Sequence, residues 1–239
     1  MVRKLAFIFL LVVTQIKAHA ESLFYDGFDG SALDASKWSI VTPFQNSSFS
    51  VQDGYLSSLN RGIAVTQQEF SSGYTVSGSF SLNSLYDIFN IVLRSNGQIQ
   101  TTPDLVEYGV VGGVTVGFWG GQGGGATSIG LVWADEYGSI NEGHLWNYDL
   151  AIGEQTIRTF SIYDSGSAIT VSVDSQELFS VTTAFAPGGK VALFGTNSGP
   201  NVDPGKVNIY QLEIVPEPSA LSLLAVGLGG LAMMRRRRS

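Results

Sequence analysis

The chain of 239 residues contains no cysteine and only two histidines. Without cysteine it has no disulfide, no thiol nucleophile and no thiolate-bound zinc, so an exported form must hold its core together by apolar burial. One histidine, His19, lies in an apolar N-terminal segment, which leaves His144 for the rest of the chain. No Gly-x-Ser-x-Gly elbow accompanies it. The common nucleophilic hydrolases and zinc enzymes are therefore disfavoured.

Basic residues are scarce outside the two ends of the chain. The whole chain has 13 Lys and Arg, 20 Asp and Glu, and a net charge of −7. Seven of the basic residues and one acidic residue lie in the terminal segments, so six basic and nineteen acidic residues remain between them, a net charge of about −13. Such a surface repels nucleic acid, so we expect no nucleic-acid partner. The acidic excess serves solubility or attracts cations such as calcium.

The N-terminus has the three parts of a secretory signal peptide. Arg3 and Lys4 precede an apolar run at residues 5–13, and Ala18-His19-Ala20 supplies a small-x-small cleavage site. The run is too short for a spanning helix, which needs about 20 residues. We therefore predict a signal peptide at residues 1–20 and export by a Sec-type machinery, the alternative being an N-terminal anchor or a buried helix.

The C-terminus shows a second change of composition. Val215, Pro216, Glu217 and Pro218 precede sixteen uncharged residues, 219–234, which as a helix would span about 24 Å. Four arginines follow, and the positive-inside rule places them in the cytoplasm: Arg235, Arg236, Arg237 and Arg238. We therefore predict a short transmembrane helix that anchors the precursor with its main domain outside.

Residues 215–239 resemble the PEP-CTERM sorting signal of Gram-negative bacteria, because the Val-Pro-Glu-Pro motif, the short apolar segment and the arginine cluster occur in that order. The resemblance implies recognition by an exosortase, a membrane transpeptidase that would cut near Pro216-Glu217-Pro218. It further implies an inner-membrane-anchored precursor that is passed on to the cell surface or an extracellular polymer matrix.

The remaining domain, residues 21–214, has the pattern of an all-β protein. Apolar and small polar residues alternate over 74–82 and 169–173, which is typical of strands with one buried face. Turn sequences rich in Gly, Asp and Asn separate the segments, and no long stretch has helical periodicity. Further strands are predicted at 55–59, 63–66, 88–93, 105–111, 114–119, 129–133, 157–163, 178–182, 190–194 and 207–214. Predicted core anchors are Phe28, Trp38, Phe80, Phe160, Val171, Val191 and Ile209.

So many short strands predict a two-sheet antiparallel sandwich or jelly roll, a β-helix being the alternative without a supporting repeat. Residues 24–38, with Phe28-Asp29-Gly30, Leu33-Asp34 and Trp38, resemble the opening of concanavalin A-like lectin and glucanase domains. The segments 169–173, 187–193 and 207–214 are similar to their final strands. The resemblance implies that fold, flanked here by the signal helix and the C-terminal helix.

Family-16 glucanases of this fold carry their catalytic acids as Glu-x-Asp-x-x-Glu or Glu-x-Asp-x-Glu on one strand. That spacing is absent from this sequence. The nearest cluster is Asp135-Glu136 followed by Glu142, and adjacent acids on a strand point to opposite faces. We therefore predict no catalytic residues and a domain that is not an enzyme.

A glycan-binding region is predicted between residues 119 and 149. Its aromatic residues would stack on the apolar face of a sugar, and its carboxylates and amides would bind hydroxyls. The candidates are Trp119, Trp146, Tyr148, Glu136, Asn141 and Glu142. The alternative is that the tryptophans belong to the core. The lectin resemblance also allows a structural calcium, for which Asp26 and Asp29 are the candidate ligands.

These observations together predict an exported surface or matrix protein with a non-catalytic sandwich that binds extracellular polysaccharide. Two alternatives remain open from the sequence. One is a divergent glycoside hydrolase or lyase whose acids lie on separate strands, and the other is a purely structural matrix protein.

Overall fold

The computed structural model describes residues 22–42, 47–52, 54–59, 61–97, 113–120, 127–134, 140–148, 155–183, 185–197 and 206–217. These residues form fifteen strands. The strands are β1 (Phe24–Asp26), β2 (Trp38–Val41), β3 (Ser48–Gln52), β4 (Tyr55–Leu59), β5 (Ile63–Thr66), β6 (Tyr74–Leu82), β7 (Asp87–Ser95), β8 (Gly113–Trp119), β9 (Thr127–Ala134), β10 (Ile140–Tyr148), β11 (Arg158–Asp164), β12 (Ala168–Val173), β13 (Gln176–Thr182), β14 (Lys190–Asn197) and β15 (Lys206–Pro216).

The strands build two antiparallel sheets, which confirms the predicted all-β sandwich. Sheet A has the order β13-β12-β11-β6-β15-β4-β3, with β1 paired to the last part of β15. Sheet B has the order β10-β9-β8-β7-β14-β5-β2. Strands distant in sequence are neighbours in both sheets, since β15 lies between β4 and β6, and β14 between β5 and β7.

One large apolar core fills the space between the sheets. On β6 the alternation places Tyr74 and Val76 inside and Thr75 and Ser77 at the surface, as expected for a half-buried strand. Phe80, Phe89 and Phe118 meet there with ring centroids 4.8–5.9 Å apart, so aromatic packing joins β6 to β7 and β8. All the predicted core anchors are buried members of this cluster: Phe28, Trp38, Phe80, Phe160, Val171, Val191 and Ile209.

Sheet B is buried on both faces near its centre. Every residue of β7 is buried, so the side chains that alternate with its core residues are covered as well. Those side chains join a second apolar cluster on the outer face of the sheet, made of Ile63, Val65, Val92, Ala192 and Phe194. Strands buried on both faces lose the period-two signal, which explains the consecutive apolar residues Ile91-Val92-Leu93 in β7 and Val191-Ala192-Leu193-Phe194 in β14.

The turn sequences adopt the backbone that their residues favour. Gly54, Gly97, Gly166 and Gly188 have φ values between 77° and 91°, in the left-handed region that glycine enters without steric cost. Asp174 has φ 49° between β12 and β13. The predicted turns at these positions are therefore confirmed.

Strand β10 differs from the sequence expectation. Residues 140–148 contain Asn141, Gly143 and Asn147, which favour turns, and no strand was predicted there. They form instead the edge strand of sheet B, paired with β9 along their whole length. The predicted strand at 105–111, the signal peptide and the C-terminal segment lie outside the described residues. Among the residues that are described, no helix has the length and apolarity to cross a membrane.

Candidate functional site

The two ends of the sandwich differ in what they carry. The first and last described residues lie at one end of the sandwich. Ser22 Oγ lies 3.4 Å from the carbonyl oxygen of Ile214, and Glu217 comes directly after the last residue of β15, Pro216. We call this the exit end. The opposite end, where β6 turns into β7 and where β8 and β10 finish, is called the far end.

The predicted aromatic ligands lie at the far end. Trp119 is the last residue of β8 and is registered with Ile88 near the start of β7. Trp146 and Tyr148 lie at the end of β10, registered with Ile129 and Thr127 of β9. The antiparallel arrangement of β8, β9 and β10 therefore brings all three positions to one end of one sheet.

The predicted polar ligands lie elsewhere. Asn141 and Glu142 stand at the start of β10, close to the exit end, and Glu136 lies outside the described residues. Four residues along β10 separate Glu142 from Trp146, which is about 13 Å of strand. The structure thus divides the predicted glycan site into an aromatic part and a polar part. Each part stays a prediction.

Register also divides the aromatic positions between the two faces of sheet B. Trp146 is paired with Ile129, and Ile129 with Phe118, whose side chain is in the core. Directly opposed positions share a face, so position 146 belongs to the core-side face and position 119 to the outer face. The two predicted tryptophan positions therefore lie on opposite faces of sheet B.

Exposed apolar side chains surround the far end beside Trp119. Leu85, Tyr86 and Ile157 are 37 %, 44 % and 57 % exposed, and we call these three residues the far-end patch. A side chain on Gly120 would come within 2.8 Å of the Leu85 backbone, so the β6–β7 turn packs directly against the end of β8. Gln155 N donates to the Leu82 carbonyl at 2.7 Å and so brings residues 155–157 to the same place.

Of the candidate calcium ligands, Asp26 is the last residue of β1 and Asp29 lies in the loop between β1 and β2. A cavity of about 270 Å³ is lined there by Tyr25, Asp26, Asp29, Asp34 and Lys37, among others. In this cavity Lys37 Nζ donates to the Tyr25 carbonyl at 2.8 Å. The hydrogen bonds donated by Ser36 hold the pKa of Asp34 below its usual value.

Asp26 is already fully engaged with protein donors. Its Oδ1 accepts from the Phe28 amide at 2.9 Å, and its Oδ2 accepts from the Trp38 indole at 2.7 Å. Calcium needs six to eight oxygen ligands, and the described residues contain no group of three or more acidic or histidine side chains arranged for a metal. The donor set around Asp26 does not fit this ion as it stands, so calcium binding stays a prediction on which nothing below depends.

A buried ion pair at the exit end was not anticipated from the sequence. Arg94 donates through Nε and Nη2 to the two carboxylate oxygens of Asp164, at 2.8 and 2.6 Å, and both side chains are fully buried. The remaining guanidinium nitrogen donates to the Phe185 carbonyl, and the Gly166 amide donates to Asp164 Oδ1. Because Arg94 is the penultimate residue of β7 and Asp164 is the last residue of β11, the pair joins sheet B to sheet A.

Tyr74 lies next to this pair, and its environment changes its acidity. Burial raises the pKa of Tyr74 above its ordinary value, and the negative charge of Asp164 raises it further. Both effects favour the neutral phenol over the phenolate. These three residues make a structural network, since no exposed surface reaches them.

The start of the predicted sorting motif is part of sheet A. Val215 is registered with Thr75 and Pro216 with Tyr74, so β15 continues two residues into the motif. The Glu217 amide then donates to the Gly73 carbonyl at 2.8 Å, and Thr75 Oγ1 donates to Glu217 Oε1 at 3.0 Å. Pro218 and the four arginines, 235–238, lie outside the described residues.

Comparison with known families identifies the C-terminal segment. Residues 215–238 match the model of the PEP-CTERM protein-sorting motif, which confirms the resemblance seen in the sequence. Such a motif implies an exosortase as processing partner and an exported, membrane-anchored precursor destined for the surface. No curated protein matches the chain.

Solved structures with the same fold include glucanases. The Bacillus licheniformis β-glucanase has a TM-score of 0.58 at 12 % identity, over 81 % of this chain and 98 % of its own. The Pyrococcus furiosus endo-β-1,3-glucanase has a TM-score of 0.61 at 15 % identity, over 82 % and 94 %. A β-1,3-glucanase from Mycobacterium marinum has a TM-score of 0.54 at 16 % identity, over 82 % and 99 %. The sandwich therefore has the same fold as these three enzymes.

These comparisons contradict one prediction. The missing Glu-x-Asp-x-x-Glu spacing led us to expect a domain that is not an enzyme, yet the whole described sandwich has the fold of glucan-hydrolysing enzymes. The prediction failed because it tested a single arrangement of acids on one strand. A fold can hold two carboxylates at a working distance from different strands and loops, and such an arrangement leaves no short sequence motif.

Proposed function

We propose that this chain is an exported, exosortase-sorted surface protein whose sandwich engages extracellular polysaccharide at its far end. The observation that carries the proposal is that both ends of the described chain lie at the same end of the sandwich. The segments toward both the signal peptide and the sorting motif leave from the exit end, so the far end faces away from the membrane that holds the precursor. The glucanase-type fold supports carbohydrate as the ligand class.

The far end offers the chemistry that a sugar surface requires. Sugar rings stack on aromatic and apolar side chains, and their hydroxyls bind nearby polar groups. The far-end patch supplies Tyr86, Leu85 and Ile157 beside the position of Trp119. Backbone and side-chain polar groups of Asn83 and Ser84 adjoin them in the same turn.

The binding test is calorimetric titration of residues 22–217 with the host's extracellular polysaccharide. We expect saturable heat that is lost in Tyr86→Ala and in Trp119→Ala. Tyr25→Ala is the matched control, because Tyr25 is an equally exposed tyrosine (49 %) on β1. Absence of saturable heat, or an equal loss in the control variant, would refute binding at the far end.

Glycoside hydrolysis is the second candidate, and the likeness to glucanases favours it. A retaining enzyme needs two carboxyl groups about 5–5.5 Å apart, and an inverting one about 6.5–9.5 Å. The acids on the strands of sheet B are Asp87 on β7 and Glu142 on β10, which differ by three strands, about 14 Å, across the sheet and by six residues, about 20 Å, along it. Asp87 is also occupied, because its Oδ2 accepts from the Ser84 amide.

The candidate acids for a hydrolytic pair are Glu136, from the segment that joins β9 to β10, and Glu142, whose position is registered with Trp133 and through it with the core residue Val114. We expect reducing ends to be released from β-glucans by the wild type and not by Glu136→Gln or Glu142→Gln. Glu177→Gln, an exposed glutamate on β13, is the control that keeps its activity. No release from a panel of β-glucans by the wild type would remove this candidate.

A further inference from the structure

The sorting signal and the folded domain share residues 215–217, which we call the docked segment. On one side of it, Ile214 is completely buried and its carbonyl accepts from the Leu23 amide at 2.8 Å. On the other side, Pro218 is the single residue before the uncharged stretch that begins at Ser219. The sandwich thus ends, and the motif begins, within one continuous strand.

The docked segment is held by few and exposed interactions. Val215 and Pro216 are half-buried, and Pro216 has no amide hydrogen to donate to β6. Glu217 is exposed and held by the Gly73 carbonyl and the Thr75 hydroxyl. A net hydrogen bond of ordinary strength changes an equilibrium about 5-fold. The segment can therefore detach without disturbing the core below Ile214.

While the segment is docked, the polar groups of Glu217 are already hydrogen-bonded to the domain. The Glu217 carboxylate is the group by which an enzyme can distinguish Pro-Glu-Pro from other proline-rich sequences, and the Glu217 amide is the backbone donor between the two prolines. Both are bound to β6 and to the turn before it. A backbone paired in sheet A cannot at the same time pair with a second protein. Docking of the segment on β6 and its binding to an enzyme therefore exclude each other.

The surface around the docked segment suits the close approach of a membrane enzyme. Three turns in contact with one another form this surface. Their proximity follows from Gly166, where an added Cβ would lie 2.8 Å from Ser72 Cβ and 3.8 Å from Pro187 Cβ. The turns are residues 71–73, 165–167 and 186–188, and they contain only Ser, Gly, Ala and Pro. Only Pro218 lies between Glu217 and the apolar stretch, and the two Cα–Cα steps from Glu217 to Ser219 span at most about 7 Å, so the enzyme must come to the sandwich.

We propose that detachment of residues 215–217 from β6 is the step that presents the sorting signal to its transpeptidase, and that Thr75 is a positioning residue for the docked state. The inference rests on the proposed sorting function. It makes the folded domain a regulator of its own processing, because the fraction of detached strand sets the rate at which the enzyme finds its substrate.

The absence of cysteine in the chain allows a direct test in the full-length precursor. Thr75→Cys with Val215→Cys places two thiols at registered positions of adjacent strands, within the range of a disulfide. In the oxidising export compartment this pair locks the docked segment. Ser77→Cys with Glu213→Cys is the matched control, because it links the same two strands two residues earlier and leaves 215–217 free.

The readout is the ratio of precursor to processed protein in a pulse-chase experiment. We expect the 75/215 pair to accumulate as precursor until a reductant is added, while the 77/213 pair and the single Val215→Cys variant are processed like the wild type. Processing of the locked 75/215 pair at the wild-type rate would overturn this inference but leave the proposed sorting function standing. A wild-type precursor that is never processed would overturn it together with the proposed sorting function.

Removal of the Thr75 hydroxyl tests the same step in the opposite direction. Thr75→Val keeps the β-branched shape and removes the hydrogen bond to Glu217, so we expect processing about 5-fold faster. Thr170→Val is the control, because Thr170 is a surface threonine on sheet A bonded to Ser180. An unchanged rate in Thr75→Val, with unchanged thermal unfolding of the domain, would contradict a positioning role.

Discussion

Breaking the Arg94–Asp164 pair tests how the two sheets are held together at the exit end. Asp164→Asn keeps the size of the side chain but removes the charge that neutralises Arg94, and both groups are completely buried. Removing one partner of a buried ion pair costs about 3–5 kcal/mol, because the other charge stays in a medium of low polarity. With a urea m-value of about 3 kcal/mol/M, the unfolding midpoint falls by roughly 1–1.7 M.

The assay is urea unfolding of residues 22–217, followed by tryptophan fluorescence and far-UV circular dichroism. The double variant Arg94→Met with Asp164→Leu is expected to recover most of the loss, because it leaves no buried charge. The cycle of single and double variants should then give a coupling energy above about 2 kcal/mol.

The chain contains a matched exposed pair for comparison. Arg158 Nη1 lies 2.7 Å from Asp174 Oδ2, as short a contact as in the buried pair, but the two side chains are 24 % and 37 % exposed. Surface pairs contribute about 0–1 kcal/mol. Equal losses for Asp164→Asn and Arg158→Ala would refute the reasoning, since burial would then have no bearing on the cost.

Three further outcomes follow from the described contacts. Asp26→Asn leaves a buried donor, the Phe28 amide or the Trp38 indole, without its acceptor and should lower the free energy of unfolding by about 1–3 kcal/mol in the same urea assay. Gly78→Ala would set a Cβ 2.2 Å from a backbone carbonyl oxygen of β15, so we expect a loss above about 3 kcal/mol or failure to fold, measured as soluble yield and thermal midpoint. Burial alone would raise the pKa of Asp174, but the hydrogen bonds from Thr159 and Arg158 hold it below its usual 3.8, so its contribution is complete above about pH 4 and is lost as the pH falls through the lowered pKa. The difference in unfolding free energy between wild type and Asp174→Asn should therefore shrink from about pH 6 to about pH 3.

Strands with one buried face were predictable because their alternation is local. The predicted strands at 55–59, 63–66 and 74–82 coincide with β4, β5 and β6, and the glycine-containing turns lie where their sequences indicate. Strand β10 was missed for a complementary reason. Its asparagines and glycine have low strand propensity, and its pairing with β9 is a tertiary contact that outweighs that propensity.

The candidate site was only partly predictable because its geometry depends on register. Trp119 and Trp146 reach the same end only because one antiparallel strand, β9, lies between their strands. The sequence cannot show that positions 119 and 146 belong to opposite faces of the sheet. The Arg94–Asp164 pair joins residues 70 positions apart. In the sequence, Asp164 is followed by Ser165 and Gly166 and so indicates only a turn. No short-range pattern marks such a contact.

The position of β15 also determines how the domain carries mechanical load. A polymer held at the far end and an attachment beyond Glu217 would pull β15 along its own axis. The ladder bonds to β6, β4 and β1 run perpendicular to that axis, so they resist the pull together rather than one after another. A hairpin pulled apart at its open end would break bond by bond. We therefore expect the sandwich to bear tension along the direction in which a surface-attached protein experiences it.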